Sequence, residues 1–143
     1  MWRPFLPVGL LVGLAAASAG GCGRADEFQH VGVSGKVTLD GKSMTNGTIT
    51  FVPLFTGPAA YGTITDGSYT ISRREGPGPG SYRVEISRIQ PTGRRVPDSE
   101  YPGKTVEETR NSVPGRYNLN STLRVEVKGG SDQTFDFVLE VAK

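Results

Sequence analysis

Apolar and polar residues alternate along most of the chain after residue 31, and this two-residue period constrains the fold more than any other feature. In the first such segment, Val33, Val37 and Leu39 fall on one face, whereas Lys36 and Thr38 fall on the other. Successive side chains of a β-strand point to opposite faces of a sheet, so this alternation is typical of a strand with one buried face. No long stretch has helical periodicity, and the pattern therefore predicts an all-β fold.

Six further segments alternate in the same way and bring the number of predicted strands to seven. They begin near Thr48, Ala60, Ser68, Tyr82, Leu123 and Phe135. Asp40-Gly41 and Asp66-Gly67 are turn signals, because both residue types tolerate positive φ. Seven strands joined by short turns predict a seven-stranded antiparallel Greek-key sandwich of the Ig-like kind over residues 31–143. In the last strand we expect Phe137 to face the core.

The stretch 90–121 interrupts this rhythm, and we predict a long loop there. Its prolines are Pro91, Pro97, Pro102 and Pro114. Residues 105–111 are compatible with one or two turns of helix. Structureless insertions of this length are uncommon in compact domains, and binding residues concentrate on such loops.

The same loop carries aromatic and basic side chains that form a candidate ligand-binding site. They are Tyr101, Tyr117, Arg94, Arg95 and Arg116. Exposed aromatic rings on related sandwiches bind glycans, which makes a carbohydrate one expected ligand. The alternative is structural: Tyr117, which follows Pro114-Gly115, packs the loop back onto the sandwich.

The N-terminal segment predicts where the chain is located. Met1 to Arg3 supplies a short positive region, residues 5–19 are apolar, and three small residues, 19–21, precede Cys22. A membrane-spanning helix needs about 20 apolar residues, and this run is shorter and contains proline and glycine. The pattern predicts a signal peptide over residues 1–21 that is cleaved between Gly21 and Cys22.

Cys22 is the one cysteine of the chain, and the residues before it resemble the lipobox of bacterial lipoproteins. The match departs from the usual pattern at Ala19, where leucine is commonest. We expect a lipid on Cys22 to be the link to the membrane, through a tether over residues 22–30. By analogy with Gram-negative sorting, Gly23 in place of aspartate favours the outer membrane, at its periplasmic or surface face. An ordinary secretory signal and an uncleaved anchor are the alternatives.

Three motifs in the alternating region carry a family resemblance. They are GKVTLDGKSMTNGTITF from Gly35 to Phe51, DGSYTI from Asp66 to Ile71, and PGSYRV from Pro79 to Val84. These motifs, covering about residues 33–90, resemble the carboxypeptidase regulatory-like domains. The resemblance implies a transthyretin-like (prealbumin-like) sandwich of seven strands. Ser43, where proline is usual, and a short middle hairpin depart from the family pattern.

The C-terminal part of the chain carries a second resemblance. It comprises VPGRYN from Val113, STLRVEV from Ser121 and FDF from Phe135. These segments are similar to small lipoproteins of planctomycete-type bacteria, which join a signal and a cysteine to one such domain. The tyrosines after Gly67 and Gly80 are expected to pack in the core instead of binding a ligand.

Charge and residue counts narrow the classes of function. Loss of Arg3 with the signal leaves 15 basic against 14 acidic side chains, which gives no basis for nucleic-acid binding. His30 is the one histidine, whereas the zinc carboxypeptidases, intradiol dioxygenases and hydroxyisourate hydrolases each require more than one. No serine or cysteine triad is identifiable. We therefore expect no enzymatic activity, no metal and no cofactor.

These observations lead to two main functional expectations. The first is a non-catalytic, lipid-anchored envelope lipoprotein with a structural or interaction role, whose partner is an envelope protein. The second is a module that binds carbohydrate or another small ligand through the 90–121 loop. An enzyme of unfamiliar type is a third, less favoured class.

Overall fold

The computed structural model describes residues 29–141, and their regular structure is eleven β-strands and one turn of 3-10 helix at Gly115–Tyr117. The strands are β1 (Val33–Leu39), β2 (Lys42–Ser43), β3 (Asn46–Pro53), β4 (Ala60–Thr65), β5 (Ser68–Ile71), β6 (Gly80–Ser87), β7 (Ile89–Pro97), β8 (Thr105–Asn111), β9 (Arg124–Val127), β10 (Gln133–Thr134) and β11 (Phe137–Leu139). The all-β prediction is confirmed.

Each of the seven alternating segments overlaps one of these strands, and the two predicted turns have the expected geometry. Asp40 and Gly41 have φ angles of 51° and 76°, and Asp66 and Gly67 have 50° and 79°. Positive φ at both central residues matches the right-handed twist of the flanking strands. Local turn chemistry therefore fixes where β1 and β4 end.

Most of the strands belong to one sheet with the order β10-β1-β5-β4-β3-β6-β9, and β2 and β11 also pair with β1. Most of these pairings are antiparallel, but β10 and β11 run parallel to β1. This departs from the all-antiparallel arrangement expected from the sequence. Alternation specifies which face of a strand is buried, but not the direction of its partner.

The sheet curls so that its two ends approach each other. β9 and β10 lie at opposite ends of the strand order, yet only residues 128–132 connect them. Even when extended, this connection spans no more than about 20 Å. Its ends are joined by the Gln133 side chain, which donates to Lys128 O at 2.5 Å and accepts from Lys128 N at 3.1 Å.

The core fills the inside of this curl with the inward-facing residues of the longer strands of the main sheet. Its largest fully buried side chains include Phe51, Met44, Ile49, Ile64, Ile86 and Leu139. The Phe51 ring lies 6.2 Å from that of Tyr69 and 6.4 Å from that of Tyr82, between ring centroids. Both tyrosines are buried, as expected from the sequence. Their hydroxyl groups donate to Phe135 O at 2.7 Å and to Gly78 O at 3.0 Å, so neither is left unpaired.

The strand registers divide the loops between two ends of the sheet. The tether end, where β1 begins, also carries the loops 54–59, 72–79 and 128–132. The ribbon end, where β1 ends, carries the turns 40–41 and 66–67, the strands β7 and β8, and Glu140. The first described residues, before β1, and the ribbon of the predicted ligand-binding segment thus lie at opposite ends of the domain.

The predicted 90–121 loop is instead built around a two-stranded antiparallel ribbon of β7 and β8, and the helix expected over 105–111 is wrong. The prolines that suggested a loop are compatible with a strand here, because β7 pairs on one side only and its other edge needs no N–H donors. Both strands are exposed on both faces over most of their length. They pair with each other and not with the main sheet, which is why no buried-face pattern is visible in the sequence.

The core position of the last strand yields a stability prediction. Phe137 is 7% exposed and its ring lies 6.4 Å from that of Tyr69, whereas the next residue, Val138, is 72% exposed. We expect Phe137→Ala to lower the free energy of unfolding by about 3–5 kcal/mol, because it leaves a cavity. Val138→Ala, the matched control, should change it by less than about 0.5 kcal/mol. Urea denaturation measures both, and equal effects would contradict the register of β11.

Candidate functional site

The predicted lipidation site, Cys22, and the cleavage position at Gly21 lie outside the described residues. The tether does reach the described part of the chain at His30 and Val31. His30 Nδ1 donates to Gly76 O at 2.6 Å, and Val31 N donates to Pro77 O at 2.8 Å. These bonds attach the end of the tether to the 72–79 loop.

A bulge in the ribbon positions Arg94. Thr92, Gly93 and Arg94 together oppose the single residue Glu108, because the register shifts between Pro91 and Arg95. Gly93 has a φ of +79°, which a residue with a Cβ rarely adopts. Glu108 accepts a hydrogen bond from Thr92 Oγ1 at 2.8 Å and lies 3.7 Å from Arg94 Nε. Glu108 thus pairs with Arg94 at an exposed position. Solvent screens the attraction between the two charges there, so the ion pair adds little stability.

Arg95 is held across the ribbon by Thr105. Its Nε donates to Thr105 Oγ1 at 2.9 Å, and its Nη2 donates to Thr105 O at 2.6 Å. Two bonds from one guanidinium fix the orientation of the group. This arginine joins the two strands close to the tip of the ribbon.

Tyr101 lies in the turn at the tip of the ribbon, and its ring is exposed. Asp98 Oδ1 accepts from the backbone N–H groups of Glu100 and Tyr101, at 2.8 Å and 3.2 Å. The turn is closed by Asp98 N, which donates to Lys104 O at 2.9 Å. Lys104 Nζ lies 5.0 Å from the centroid of the Tyr101 ring, within the range of a cation–π contact. The tip thus presents an aromatic ring on an ordered turn.

Arg116 and Tyr117 lie at the base of the ribbon, where they contact the end of the last strand. The Arg116 guanidinium lies 4.8 Å from the centroid of the Tyr117 ring and donates to Glu140 O. Glu140 N donates to the Tyr117 hydroxyl at 3.1 Å. Tyr117 is half-buried and packs against the core. This arrangement supports the structural alternative, in which Tyr117 fastens its segment to the sandwich.

The five candidate residues therefore form two groups and not one site. Arg94, Arg95 and Tyr101 belong to the ribbon, and Arg116 and Tyr117 belong to its base. The length of β8, about 20 Å for seven residues, separates the tip from the base. A small ligand that contacts the exposed Tyr101 ring is consequently bound by the ribbon alone.

Reasoning from the sequence missed an exposed apolar loop at the tether end. Phe55, in the loop between β3 and β4, is 85% exposed. It lines a shallow groove of about 170 Å³ together with Pro53, Pro79, Tyr82 and neighbouring residues. The signal that could have found it is the sequence LFTGPA of residues 54–59, a turn-like segment without a charged residue.

Two common functional features are absent from residues 29–141. No group of three or more histidine, cysteine, aspartate or glutamate side chains is arranged to hold a metal ion in this part of the chain. No helix among the same residues is long and apolar enough to cross a membrane.

Comparisons with known proteins place this chain in no family. No protein-family model matches it, and no curated protein does. Among solved structures, the chain is similar to part of a 9R-lipoxygenase from Cyanothece, at 16% sequence identity and a TM-score of 0.34. The match covers 79% of this chain and 16% of the lipoxygenase chain, so this chain spans about a sixth of that protein's length.

This match corrects the expectation that the chain lacks enzymatic activity. The matched protein is a lipoxygenase, and the expectation that this chain is not an enzyme therefore does not stand. At 16% identity and a TM-score of 0.34, the similarity is too weak to assign a catalytic function. No activity is transferred from the lipoxygenase to this chain.

The tyrosines give a prediction about alkaline titration. The hydrogen bond from Glu140 N lowers the pKa of Tyr117 below its ordinary value of 10.0, and Arg116 acts in the same direction. Burial raises the pKa of Tyr69 and of Tyr82. In the ultraviolet absorbance of the folded protein, we expect a phenol ionisation below pH 10 that Tyr117→Phe removes and Tyr69→Phe leaves in place.

The same shift has a consequence for stability. Because the pKa of Tyr117 is lower in the folded than in the unfolded protein, its ionisation adds stability as pH rises through the folded value, and the gain is complete above pH 10. Tyr117→Phe should therefore destabilise the protein more above pH 10 than at pH 7. An unchanged titration curve in this variant would contradict the contact with Glu140.

Proposed function

We propose that the chain is a lipid-anchored lipoprotein of the cell envelope whose domain serves a structural or interaction role. The observation that carries this proposal is the separation of the two ends of the domain. The tether joins the fold at His30 and Val31, and the ribbon of β7 and β8 extends from the opposite end. A domain held to a membrane by its tether end would present the ribbon away from that membrane.

The anchoring part of the proposal is supported by the N-terminal sequence. An apolar segment of 15 residues is followed by small residues and by Cys22. Several acyl chains on this cysteine would give stable membrane binding, at about 0.8 kcal/mol for each buried CH₂ group. Gly23 after the cysteine supports the outer membrane, at its periplasmic or surface face.

The interaction part is supported by the composition and exposure of the ribbon. The ribbon carries both signs of charge on its exposed strands and its tip turn, in Arg94, Arg95, Lys104, Arg110, Asp98, Glu100, Glu107 and Glu108. Such mixed charges, with prolines on the free edge, discourage non-specific pairing of the open strands. They also offer salt bridges and hydrogen bonds to a specific partner. An envelope protein is the partner class that this polar surface favours.

The finer fold assignment belongs to the same proposal. Seven strands form the continuous hydrogen-bonded path of the sheet, and the three motifs between residues 33 and 90 lie on its strands and turns. Both observations support a carboxypeptidase regulatory-like, transthyretin-like sandwich. The resemblance to small planctomycete-type lipoproteins supports the combination of such a domain with a lipid anchor.

A carbohydrate partner is the second candidate function, and the exposed Tyr101 ring favours it. Aromatic rings with a polar tip are suited to contacts that are apolar on one face and wet at the edge. In this alternative the glycan is bound by the ribbon tip, since Tyr117 is engaged with Glu140.

Lipid attachment is tested by metabolic labelling with radioactive palmitate. We expect the full chain to incorporate label and to sediment with membranes, and Cys22→Ser to lose both properties, because the thiol is the attachment point. Gly23→Ser is the matched control and should label normally. Label that persists in Cys22→Ser, or an unlabelled parent chain in the soluble fraction, would overturn the anchoring proposal.

The partner class is tested by photo-crosslinking in intact cells. A benzophenone amino acid replaces Tyr101 at the ribbon tip or, as the matched control, the exposed Tyr61 on β4. We expect crosslinks to a defined envelope protein from position 101 and not from position 61. Glycan-array binding that Tyr101→Ala abolishes and Tyr61→Ala preserves would instead favour the carbohydrate alternative. Equal crosslinking from both positions would contradict a specific role of the ribbon.

A further inference from the structure

We propose that the loop 54–59 between β3 and β4 is a second membrane contact, which rests on the phospholipid bilayer that holds the lipid anchor. This inference rests on the proposed anchoring at Cys22 and adds to it a defined orientation of the domain. The occupant of this apolar surface is the lipid–water interface of that bilayer.

The loop has the composition of an interfacial contact. Its sequence is LFTGPA, and it contains none of the charged residues of the chain. Phe55 is 85% exposed and Leu54 is 43% exposed, so two adjacent apolar side chains face solvent. Single exposed apolar residues are common on protein surfaces, whereas a neighbouring pair on an uncharged loop is a candidate contact. Burial of these side chains among lipid headgroups and acyl chains would remove them from water.

The backbone around this loop is held in place before any membrane contact. Leu54 N donates to Ser81 O at 3.0 Å, and Pro53 pairs with Tyr82 across β3 and β6. Pro58 restricts the backbone within the loop itself. Because the start of the loop is already held by these neighbours, less conformational entropy is lost when it binds.

The position of the loop relative to the tether identifies the bilayer as its partner. Pro79 lines the groove that Phe55 also lines. A Cβ placed on Gly129 would lie 3.2 Å from Pro79 Cγ and 3.3 Å from Gln29 Oε1, so Pro79, Gly129 and the last tether residues meet at one place. The exposed phenylalanine and the point where the tether enters the fold are thus on the same end of the domain.

The length of the tether keeps this end close to the membrane. Eight Cα–Cα steps separate Cys22 from His30, which limits their separation to about 28 Å when fully extended. The loop is therefore presented to the bilayer at a high effective concentration, and a contact too weak to hold the free domain becomes significant.

Charges at the tether end are compatible with a phospholipid surface. Arg74 and Lys128 are exposed there, and Arg73 pairs with Asp132 at 2.6 Å. Asp132 belongs to the 128–132 loop, whereas Glu75 is the one acidic residue of the 72–79 loop and accepts from Ser72 Oγ at 3.4 Å. Glu126, which is also exposed at this end, accepts from Ser81 Oγ, so these basic and acidic side chains balance each other. The uncharged 54–59 loop supplies the apolar part of the contact, so zwitterionic lipid is sufficient to detect it.

The test uses the full chain, lipidated in cells and reconstituted into phosphatidylcholine vesicles. Lipidation leaves no free thiol on Cys22, so an introduced cysteine accepts an environment-sensitive fluorophore selectively. Thr56→Cys places the probe in the loop, and Ser99→Cys places it at the ribbon tip as the matched control; both residues are exposed. We expect a blue shift of emission and quenching by nitroxide-labelled lipids at position 56 and neither effect at position 99.

A further variant with two added substitutions distinguishes the loop contact from mere proximity of the loop to the membrane. Adding Phe55→Ser and Leu54→Ser to the Thr56→Cys chain should abolish the blue shift while palmitate labelling continues, because the apolar side chains are lost and the anchor is not. Both side chains are partly or largely exposed, and thermal unfolding verifies that the fold is retained. Identical emission at positions 56 and 99 of the lipidated protein would overturn the loop contact and leave the anchor intact.

Failure of the anchor is recognised separately, through the parent chain. If the parent reacts with the fluorophore, its Cys22 is a free thiol and the proposed anchoring is overturned. The loop is then tested in a Cys22→Ser, Thr56→Cys chain mixed with the same vesicles. A blue shift there would support the loop as an independent membrane contact, and its absence would overturn the inference as well.

Discussion

The fold depends on how closely the last segment of the chain approaches β1. β1 pairs with β5 along one edge and with β10 and β11 along the other, so the first and the last strands of the described region meet here. Where the segment between β10 and β11 passes β1, a Cβ on Gly35 would lie 1.9 Å from Phe135 O. The same carbonyl accepts a hydrogen bond from the Tyr69 hydroxyl at 2.7 Å, which links this close approach to the aromatic cluster around Phe51. Any larger residue at position 35 would displace a backbone segment that the core also requires.

The sequence predicts those parts of this fold that short-range chemistry determines. Alternation locates the seven strands and their buried faces, and the two Asp-Gly pairs locate the turns, because each signal lies within a few residues. The parallel pairing of β10 and β11 is a long-range choice that alternation does not specify. The ribbon of β7 and β8 has no buried face to leave a period, and its prolines resemble those of a loop. Phe55 was missed because exposure is a property of the assembled fold.

The two ends of the domain differ in the interactions that order them. At the tether end, backbone bonds from Val31 and Leu54 and the rigid Pro79 bring loops together around an apolar surface. At the ribbon end, polar contacts dominate: Arg95 bonds to Thr105 across the strands, and Glu108 joins Thr92 and Arg94 at the bulge. An apolar surface is suited to a lipid interface, whereas a polar ribbon is suited to a hydrated partner.

The ribbon and the core are nevertheless coupled at one place, the base of the ribbon. Arg116 and Tyr117 connect the segment that follows β8 to Glu140, directly after the strand that pairs with β1. Asn118 adds bonds to Val113 O and Pro114 O, and the Ser121 hydroxyl donates to Val84 O in the central sheet. Contacts this dense transmit the orientation of the sheet to the base of the ribbon. A partner bound at the ribbon would therefore have a fixed orientation relative to the membrane under two conditions. The contacts at the base of the ribbon must be rigid, and the tether end of the domain must be held rigidly at the membrane. In the anchored arrangement that we propose, the loop at residues 54–59 would supply the second of these conditions, because it adds a second point of contact with the membrane.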